Sequence, residues 1–289
     1  MSESNLPGGT FDVAPGINVT RMGYGAMQLA GPGVFGPPKD RAEAVAVLRE
    51  AIESGITHVD TSDYYGPFVT NEIIKEALYP YPESLHIVTK VGARRDTEGQ
   101  WLEARTPPEL RRAVHENLDH LGLDALDVVN LRLGGFASAD GASLAEPFAA
   151  LVELQAQGLV RHIGLSTVNA EQISEAQSIA PIVCVQNFYN VAHRGDDDLV
   201  DSLAEQGIAY VPYFPLGGFT TLQSSELETV ATRLGSSPLA VALAWLIQRS
   251  PNILLIPGTS TRVHLRENIA GASVELSTED LAELDRIAA

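Results

Sequence analysis

The stretch DRAEAVAVLREAIESGITHVD, residues 40–60, contains one complete helix-then-strand unit and decides the fold. Its first part repeats apolar residues at helical spacing, between an aspartate suited to an N-cap and a glycine suited to a helix end. Its last five residues, ITHVD, form a short apolar run typical of a buried strand. Helices that alternate with such strands through short turns indicate a parallel sheet.

The same unit recurs along the whole chain. Eight short runs rich in valine and isoleucine are the candidate strands, at residues 22–27, 56–60, 86–90, 126–133, 160–166, 182–187, 208–214 and 252–257. Amphipathic segments lie between them. Eight strand-and-helix units of this size close into a (β/α)8 barrel of about 250 residues. The sequence therefore predicts an α/β fold, a TIM barrel that forms one domain over residues 1–289.

Two additions to the barrel are expected at its ends. The segment 10–21 holds two short runs around Ala14, Pro15 and Gly16, which predicts a β-hairpin able to cover the barrel bottom. The segment 276–288, LSTEDLAELDRIA, predicts an extra C-terminal helix with a serine or threonine cap. An open doubly wound sheet is the structural alternative, although nothing marks a point where the strand order would reverse.

Composition limits the possible partners and the location. Aspartate and glutamate outnumber lysine and arginine by 37 to 19, which gives a formal charge of −18. Such a chain repels nucleic acid and anionic membrane surfaces. The single cysteine, Cys184, lies in an apolar run and is expected to be a buried, inert thiol. With neither a signal peptide nor a membrane-length apolar run, we expect a cytoplasmic protein, and a monomer is favoured.

Polar residues end several of the predicted strands. In a TIM barrel the catalytic groups come from the C-terminal ends of the strands, so these residues converge on one rim. Asp60 ends the second strand, Lys90 the third and Arg132 the fourth, while Tyr65 lies just beyond Asp60. A carboxylate, two cations and a phenol in one place can move a proton.

The electrostatics of this group give a specific expectation. Asp60 is expected to pair with Lys90, and the two cations are expected to lower the pKa of Tyr65 from its ordinary value near 10. Tyr65 would then be a general acid. The alternative is a structural ion pair between Asp60 and Lys90, with Tyr65 an ordinary loop aromatic.

Motifs spread over nearly the whole chain resemble the aldo-keto reductase family. They occur in family order as GITHVDTSDYYG (55–66), IVTK (87–90), LGLDALDVVNLR (121–132), VRHIGLS (160–166), VQNFYN (185–190), PYFPLGG (212–218), IPGTS (256–260) and RENI (266–269). The family reduces carbonyl groups with NAD(P)H, and its Asp, Tyr, Lys and His form a proton-delivering tetrad. The resemblance assigns the first three roles to Asp60, Tyr65 and Lys90, and its spacing excludes Tyr64.

The fourth tetrad position departs from the family pattern. The family's DLYLIH has histidine where DVVNLR of this chain has Arg132. Arginine can donate hydrogen bonds to a carbonyl oxygen but keeps its proton, so it can orient and polarise without acting as an acid. Stretches such as VVNLR and IVCVQNFYNVAHR (182–194) are similar to a bacterial branch that reduces pyridoxal, and an arginine would suit that polar, phenolic pyridine substrate.

The resemblance also implies NADPH as the cofactor, with its nicotinamide at the barrel mouth. Ser166 and Gln186 match carboxamide contacts and Tyr213 matches the stacking aromatic, whereas Thr167 replaces the usual asparagine. Further cofactor contacts are assigned to Gly25, Met27, Asp60, Pro215, Leu216 and Gly258.

Phosphate recognition is expected after the eighth strand, in IPGTSTRVHLRENI (256–269), where barrels often bind phosphate with loop amides and a helix N-terminus. The candidate contacts are Thr259, Ser260, Arg262, His264, Arg266 and, for adenine, Asn268. The alternative is a solvated helical face. Many relatives have lysine where Gly258 stands, so the strength of the preference for NADPH over NADH stays open.

Other motifs carry no function. GPGVFG (31–36) satisfies the dinucleotide-binding string, but no βαβ unit surrounds it, so we interpret it as a lid-like loop. A metal is not expected, because the seven histidines do not cluster at ligand spacing. Two alternatives to a pyridoxal reductase remain: a generic aldehyde or sugar carbonyl reductase, and a cofactor-binding regulatory subunit. Phe35 and Trp101 are conceivable pocket residues.

Overall fold

A computed structural model describes residues 6–135, 138–218 and 224–287. The strands are β1 (Thr10–Ala14), β2 (Ile17–Thr20), β3 (Tyr24–Gly25), β4 (His58–Asp60), β5 (His86–Val91), β6 (Ala93–Arg95), β7 (Trp101–Glu103), β8 (Leu126–Arg132), β9 (Val160–Ser166), β10 (Cys184–Gln186) and β11 (Ala209–Tyr210). The α-helices are α1 (Arg41–Glu53), α2 (Val69–Leu78), α3 (Pro107–Leu121), α4 (Ala145–Ala156), α5 (Ala170–Ile179), α6 (Asp197–Glu205), α7 (Ser225–Leu234), α8 (Pro238–Arg249), α9 (Arg262–Gly271) and α10 (Thr278–Leu284).

Seven parallel strands form the main sheet, in the order β3-β4-β5-β8-β9-β10-β11. The eighth predicted strand, 252–257, contributes single bridges rather than a ladder. Ile253 pairs with Tyr210 on one side and Leu255 with Met22 on the other, and Gly258 beyond it pairs with Gly25. These contacts join the last strand to the first, so the predicted (β/α)8 barrel is confirmed and the open sheet is excluded.

The two larger hydrophobic clusters of the described residues form two layers. The larger layer lies between the sheet and the surrounding helices and includes Leu48, Phe148 and Trp245. The smaller layer fills the barrel interior, where Val128 packs together with Ile17 of the N-terminal hairpin. The hairpin β1–β2 therefore covers the barrel bottom, as predicted. Because the bottom is filled, the open end of the barrel is the rim that carries Asp60, Lys90 and Arg132.

Local signals placed most helix boundaries correctly. Gly235 ends α7 in the left-handed region at φ 61°, and Pro238 starts α8, so the long segment splits where expected. The C-terminal helix α10 forms with Ser277 as its cap. No single helix in the described ranges is long and apolar enough to cross a membrane, and α7 and α8 reach that length only together, across a 92° bend.

The structure differs from the sequence expectation at two places. Several barrel strands are shorter than predicted: β4 begins two residues later, β3 and β10 are shorter at both ends, and β11 has only two residues. The antiparallel pair β6–β7 was not predicted at all. It lies in the charged stretch ARRDTEGQWLE (93–103), which lacks apolar alternation, and it is held partly by Arg95, whose guanidinium lies 4.1 Å from the Trp101 ring.

Candidate active site

The register of the parallel sheet brings Asp60 and Lys90 together at the rim. Lys90 Nζ lies 2.5 Å from Asp60 Oδ1 and also donates to the Thr61 carbonyl at 2.9 Å. The side chains are only 3 and 4% exposed. A buried charge pair with this many hydrogen bonds holds both side chains in one geometry. The expected pairing of Asp60 with Lys90 is therefore present.

Gln186 extends this network toward the opposite side of the barrel. Its Nε2 donates to Asp60 Oδ2 at 2.8 Å. Its Oε1 is buried and has no hydrogen-bond partner among the described residues. A buried acceptor without a donor is costly in a folded protein. A ligand that presents an amide N–H here would remove that cost.

Tyr65 lies over the ion pair, on the loop between β4 and α2. It is 7% exposed, and Lys90 Nζ lies 5.4 Å from the centre of its ring. The Tyr64 ring packs edge-on against the Tyr65 ring, with the two ring centres 5.3 Å apart. No side chain in the described ranges hydrogen-bonds to the Tyr65 hydroxyl, which leaves that group available to a ligand in the pocket.

The expected acidification of Tyr65 is wrong for this folded chain. Burial raises the pKa of Tyr65 above its ordinary value, the charge of Asp60 raises it further, and Arg132 only partly opposes them. Burial is the main cause, and Lys90 does not offset it, because its charge is already paired with Asp60 at 2.5 Å. Tyr65 therefore keeps its proton at neutral pH.

A buried polar network supports the loop that carries Tyr65. No sequence motif predicted this network. Asn71 donates to Asp63 at 3.0 Å and to Asn117 at 3.1 Å, and it accepts from Thr61 at 2.8 Å. His120 Nδ1 lies 2.8 Å from Asp63, whose pKa is raised to about 6, chiefly by burial. These hydrogen bonds connect the loop to α2 and α3 and so restrict the position of the loop that carries Tyr65.

A pocket of about 530 Å³ opens above these residues. Its lining includes Asp60, Tyr65, Lys90 and Arg132, together with Tyr64, Trp101, Glu103, Arg105 and Asp140. Trp101 was a conceivable pocket residue and does line the pocket. Phe35 does not, because its ring packs against the Arg95 guanidinium at 5.3 Å. Tyr64, excluded as proton donor by spacing, contributes a wall.

Eight of the residues expected to bind the cofactor line this pocket. They are Gly25, Met27, Asp60, Gln186, Tyr213, Pro215, Leu216 and Gly258. Ser166 is fully buried, and its hydroxyl lies 3.5 Å from that of Thr167. Thr167 adopts a φ of 59°, in the left-handed region that asparagine accepts more readily than a β-branched residue. That preference gives a physical reason for the asparagine usual at this position.

The expected phosphate-binding residues lie outside the pocket lining, around the start of α9. Thr259 is buried, and its hydroxyl accepts a hydrogen bond from the Thr261 backbone at 3.2 Å. The others lie at the surface or are half-buried: Ser260, Arg262, His264, Arg266 and Asn268. The basic cluster is not free. Glu43 accepts from the backbone and side chain of Arg262, and Glu50 pairs with Arg266 at 2.5 Å.

The segment GPGVFG (31–36) is a compact loop and not part of a βαβ unit. Pro32–Val34 form a short 3-10 helix, the Gly31 amide donates to the Gly36 carbonyl at 2.9 Å, and Phe35 bridges to Gly66. The loop therefore lies against the end of the Tyr65 loop.

Comparison with known proteins agrees with this architecture. The sequence model of the Aldo/keto reductase family matches residues 21–289. Pyridoxine 4-dehydrogenase of Escherichia coli (strain K12) is 62% identical over 273 residues, which cover 93% of this chain and 95% of that protein.

Solved structures show the same fold. A thermostable aldo-keto reductase, Tm1743, in complex with the inhibitor epalrestat superposes with a TM-score of 0.79 at 31% identity, over 93% of this chain and 96% of that one. An aldo-keto reductase from Klebsiella pneumoniae in complex with NADPH superposes with a TM-score of 0.75 at 26% identity, over 93% and 91% of the two chains.

Proposed function

Because the chain belongs to the aldo/keto reductase family, we propose that it uses NADPH to reduce the aldehyde of pyridoxal to the alcohol of pyridoxine. The 62% identity to a pyridoxine 4-dehydrogenase supports this substrate, and the NADPH complex of the Klebsiella pneumoniae relative supports the cofactor.

One observation carries the catalytic assignment. Tyr65 lines a pocket of about 530 Å³ together with the buried Asp60–Lys90 pair, and Lys90 Nζ lies 5.4 Å from the centre of its ring. The high pKa of Tyr65 keeps the phenol protonated, so it can donate a hydrogen bond to a carbonyl oxygen and then the proton itself. Arg132, whose charge lowers the pKa of Tyr65 against the larger effect of burial, is the cation that stabilises the phenolate left behind, and Lys90 Nζ lies 5.4 Å from the centre of the same ring.

The residues present fit a nicotinamide cofactor. Gln186 offers a buried acceptor with no other partner in the described ranges, which suits the N–H of a carboxamide. Gly25 and Gly258, which bridge to each other, line the edge of the same pocket. Tyr213 lines the same side of the pocket. Bound NADPH would supply the hydride that reduces the carbonyl carbon.

The residues of the chain then have separate tasks in the reduction. Tyr65 gives its proton to the carbonyl oxygen. Asp60 holds Lys90 through a hydrogen bond of 2.5 Å, and Gln186 in turn donates to Asp60 at 2.8 Å, so that the ammonium stays next to the phenol. Arg132 donates to the substrate and keeps its own proton throughout.

The decisive experiment is to replace Tyr65 by phenylalanine and follow loss of NADPH absorbance with pyridoxal. A general acid typically contributes a factor of about 10² to 10⁴, so Tyr65→Phe is expected to lower kcat by that factor. NADPH binding, measured by fluorescence titration, is expected to stay unchanged.

Tyr64→Phe is the matched comparison, because it removes a hydroxyl from the adjacent tyrosine. A larger loss of kcat in Tyr64→Phe than in Tyr65→Phe would reverse the assignment of the proton donor. If the unaltered protein binds NADPH but leaves pyridoxal unreduced, the proposed reaction is wrong.

A further inference from the structure

The charged side chains of the pocket differ in whether they have partners. Asp60 and Lys90 pair at 2.5 Å. Arg105 is held by two acids, Glu103 and, at 2.7 Å, Asp140. Arg132 forms no ion pair with any carboxylate of the described residues, although it lines the same pocket. The unshared positive charge of the pocket therefore lies at Arg132.

Arg132 also has hydrogen-bonding capacity left. Its Nη2 donates to the Gly135 carbonyl at 2.7 Å. A guanidinium carries five N–H donors in one plane, so most of them have no partner among the described residues and remain for a ligand. Its field reaches the reacting end of the pocket, because it lowers the pKa of Tyr64, Tyr65 and Tyr213 against the larger effect of burial. Arg132 and the proton donor Tyr65 therefore line the same part of the pocket.

A half-buried guanidinium with free donors favours an anionic oxygen ligand, to which it can donate charge-assisted hydrogen bonds. The proton donor requires the aldehyde oxygen at Tyr65. A second oxygen bound by Arg132 must then lie beside the aldehyde on the same small molecule. In an aromatic aldehyde, that position is the ortho hydroxyl, which becomes anionic when it ionises.

We propose that Arg132 determines substrate specificity by binding the ionised hydroxyl ortho to the aldehyde, so that the enzyme selects ortho-hydroxy aromatic aldehydes in their phenolate form. The inference rests on the proposed function, since pyridoxal belongs to this class. Glu103 and Asp140 place two acids around Arg105 in the same pocket, and the net negative charge of this group suits the positive end of such a dipolar ring. A protonated ring nitrogen para to the aldehyde points away from Tyr65 and toward the pocket mouth.

The test compares pyridoxal with its 3-O-methyl ether, which keeps the oxygen but cannot ionise. Rates are expressed per free aldehyde, because both compounds form internal hemiacetals. A hydrogen-bonded charge contact contributes roughly 10- to 100-fold in selectivity, so the unaltered enzyme is expected to prefer pyridoxal by about that factor in kcat/KM. Arg132→Met is expected to bring the preference close to one, and Arg132→Lys, which keeps the charge without the planar fork, is expected to fall between them.

The pH dependence separates this role from a structural one. Arginine stays charged throughout, so the preference is expected to rise across the range in which the substrate's 3-hydroxyl ionises and then level off. If Arg132→Met turns over too slowly, fluorescence titration with 3-hydroxypyridine and 3-methoxypyridine measures the same preference without catalysis.

The possible results are distinct. If Arg132→Met still prefers pyridoxal over the ether, or if the preference does not change as the substrate hydroxyl ionises, the inference is wrong and the proposed function is unaffected. Failure of the unaltered enzyme to reduce both pyridoxal and its ether overturns the inference together with the proposed function. Loss of the preference in Arg132→Met, with partial recovery in Arg132→Lys, supports it.

Discussion

Tyr65 lies in the pocket where the sequence places it, but the predicted direction of its pKa shift is wrong. Its position five residues after Asp60 was enough to select it over Tyr64. The sign of its pKa shift depended on burial and on the 2.5 Å contact that neutralises Lys90, neither of which the sequence states. A phenol that stays protonated is well suited to reduction, because the proton to be delivered is present at every physiological pH.

This residue sets the expected pH profiles. Reduction needs Tyr65 protonated, and its pKa lies above the ordinary value near 10, so kcat for pyridoxal is expected to stay level from about pH 6 to pH 9. Oxidation of pyridoxine needs the phenolate, whose fraction grows about tenfold per pH unit below the pKa, so kcat in that direction is expected to rise with pH. Steady-state kinetics at saturating substrates measures both. A fall in the reduction rate centred near pH 8 would contradict the high pKa.

At the scale of elements, helix α9 and helix α1 are joined by charge pairs that the sequence analysis did not foresee. The residues proposed to bind the cofactor phosphate do form a basic group at the start of α9, yet Glu43 and Glu50 of α1 pair with Arg262 and Arg266. Glu43 also accepts from the Arg262 backbone at 3.0 Å, so its carboxylate takes the position at the helix N-terminus that an anion would prefer.

Glu43→Gln tests whether this carboxylate competes with the cofactor. Removing the charge frees Arg262 and lessens repulsion of a phosphate, so the Kd of NADPH is expected to decrease several-fold while that of NADH changes less. Glu76→Gln is the matched control, because Glu76 pairs with Arg41 on the surface and loses the same charge away from α9. Fluorescence titration with both cofactors gives the comparison. Equal effects of the two substitutions would argue against a phosphate site at Arg262.

At the scale of the whole molecule, the barrel closes through very few backbone contacts. The first and last strands meet at the bridges of Met22 with Leu255 and of Gly25 with Gly258. A Cβ atom added at Gly25 would lie 2.4 Å from the Ile256 carbonyl oxygen, which is backbone and cannot rotate away. The closure therefore depends on glycine at this point, next to the pocket that the closure shapes.

Gly25→Ala is expected to lower the free energy of unfolding by about 2 kcal/mol or more, since the first and last strands must move apart at their contact, here called the seam, to admit the methyl group. Gly195→Ala is the control, because nothing lies within 4 Å of its Cβ position and its φ is not positive. That substitution is expected to be neutral or slightly stabilising. Denaturant unfolding of both variants measures the difference, and equal stabilities would show that the seam adjusts freely.

The sequence by itself determined the fold and predicted four residues that line one pocket. Alternating strand and helix periods predicted the parallel barrel, and glycine and proline predicted the end of α7 and the start of α8. Polar residues at strand ends indicated Asp60, Lys90 and Arg132. Each of these signals is local in the chain. Only the tertiary structure decided the raised pKa of Tyr65 and the pairing of Arg262 with Glu43. It also decided that no carboxylate in the described ranges pairs with Arg132. These properties depend on distances and burial between residues far apart in sequence, which no local pattern encodes.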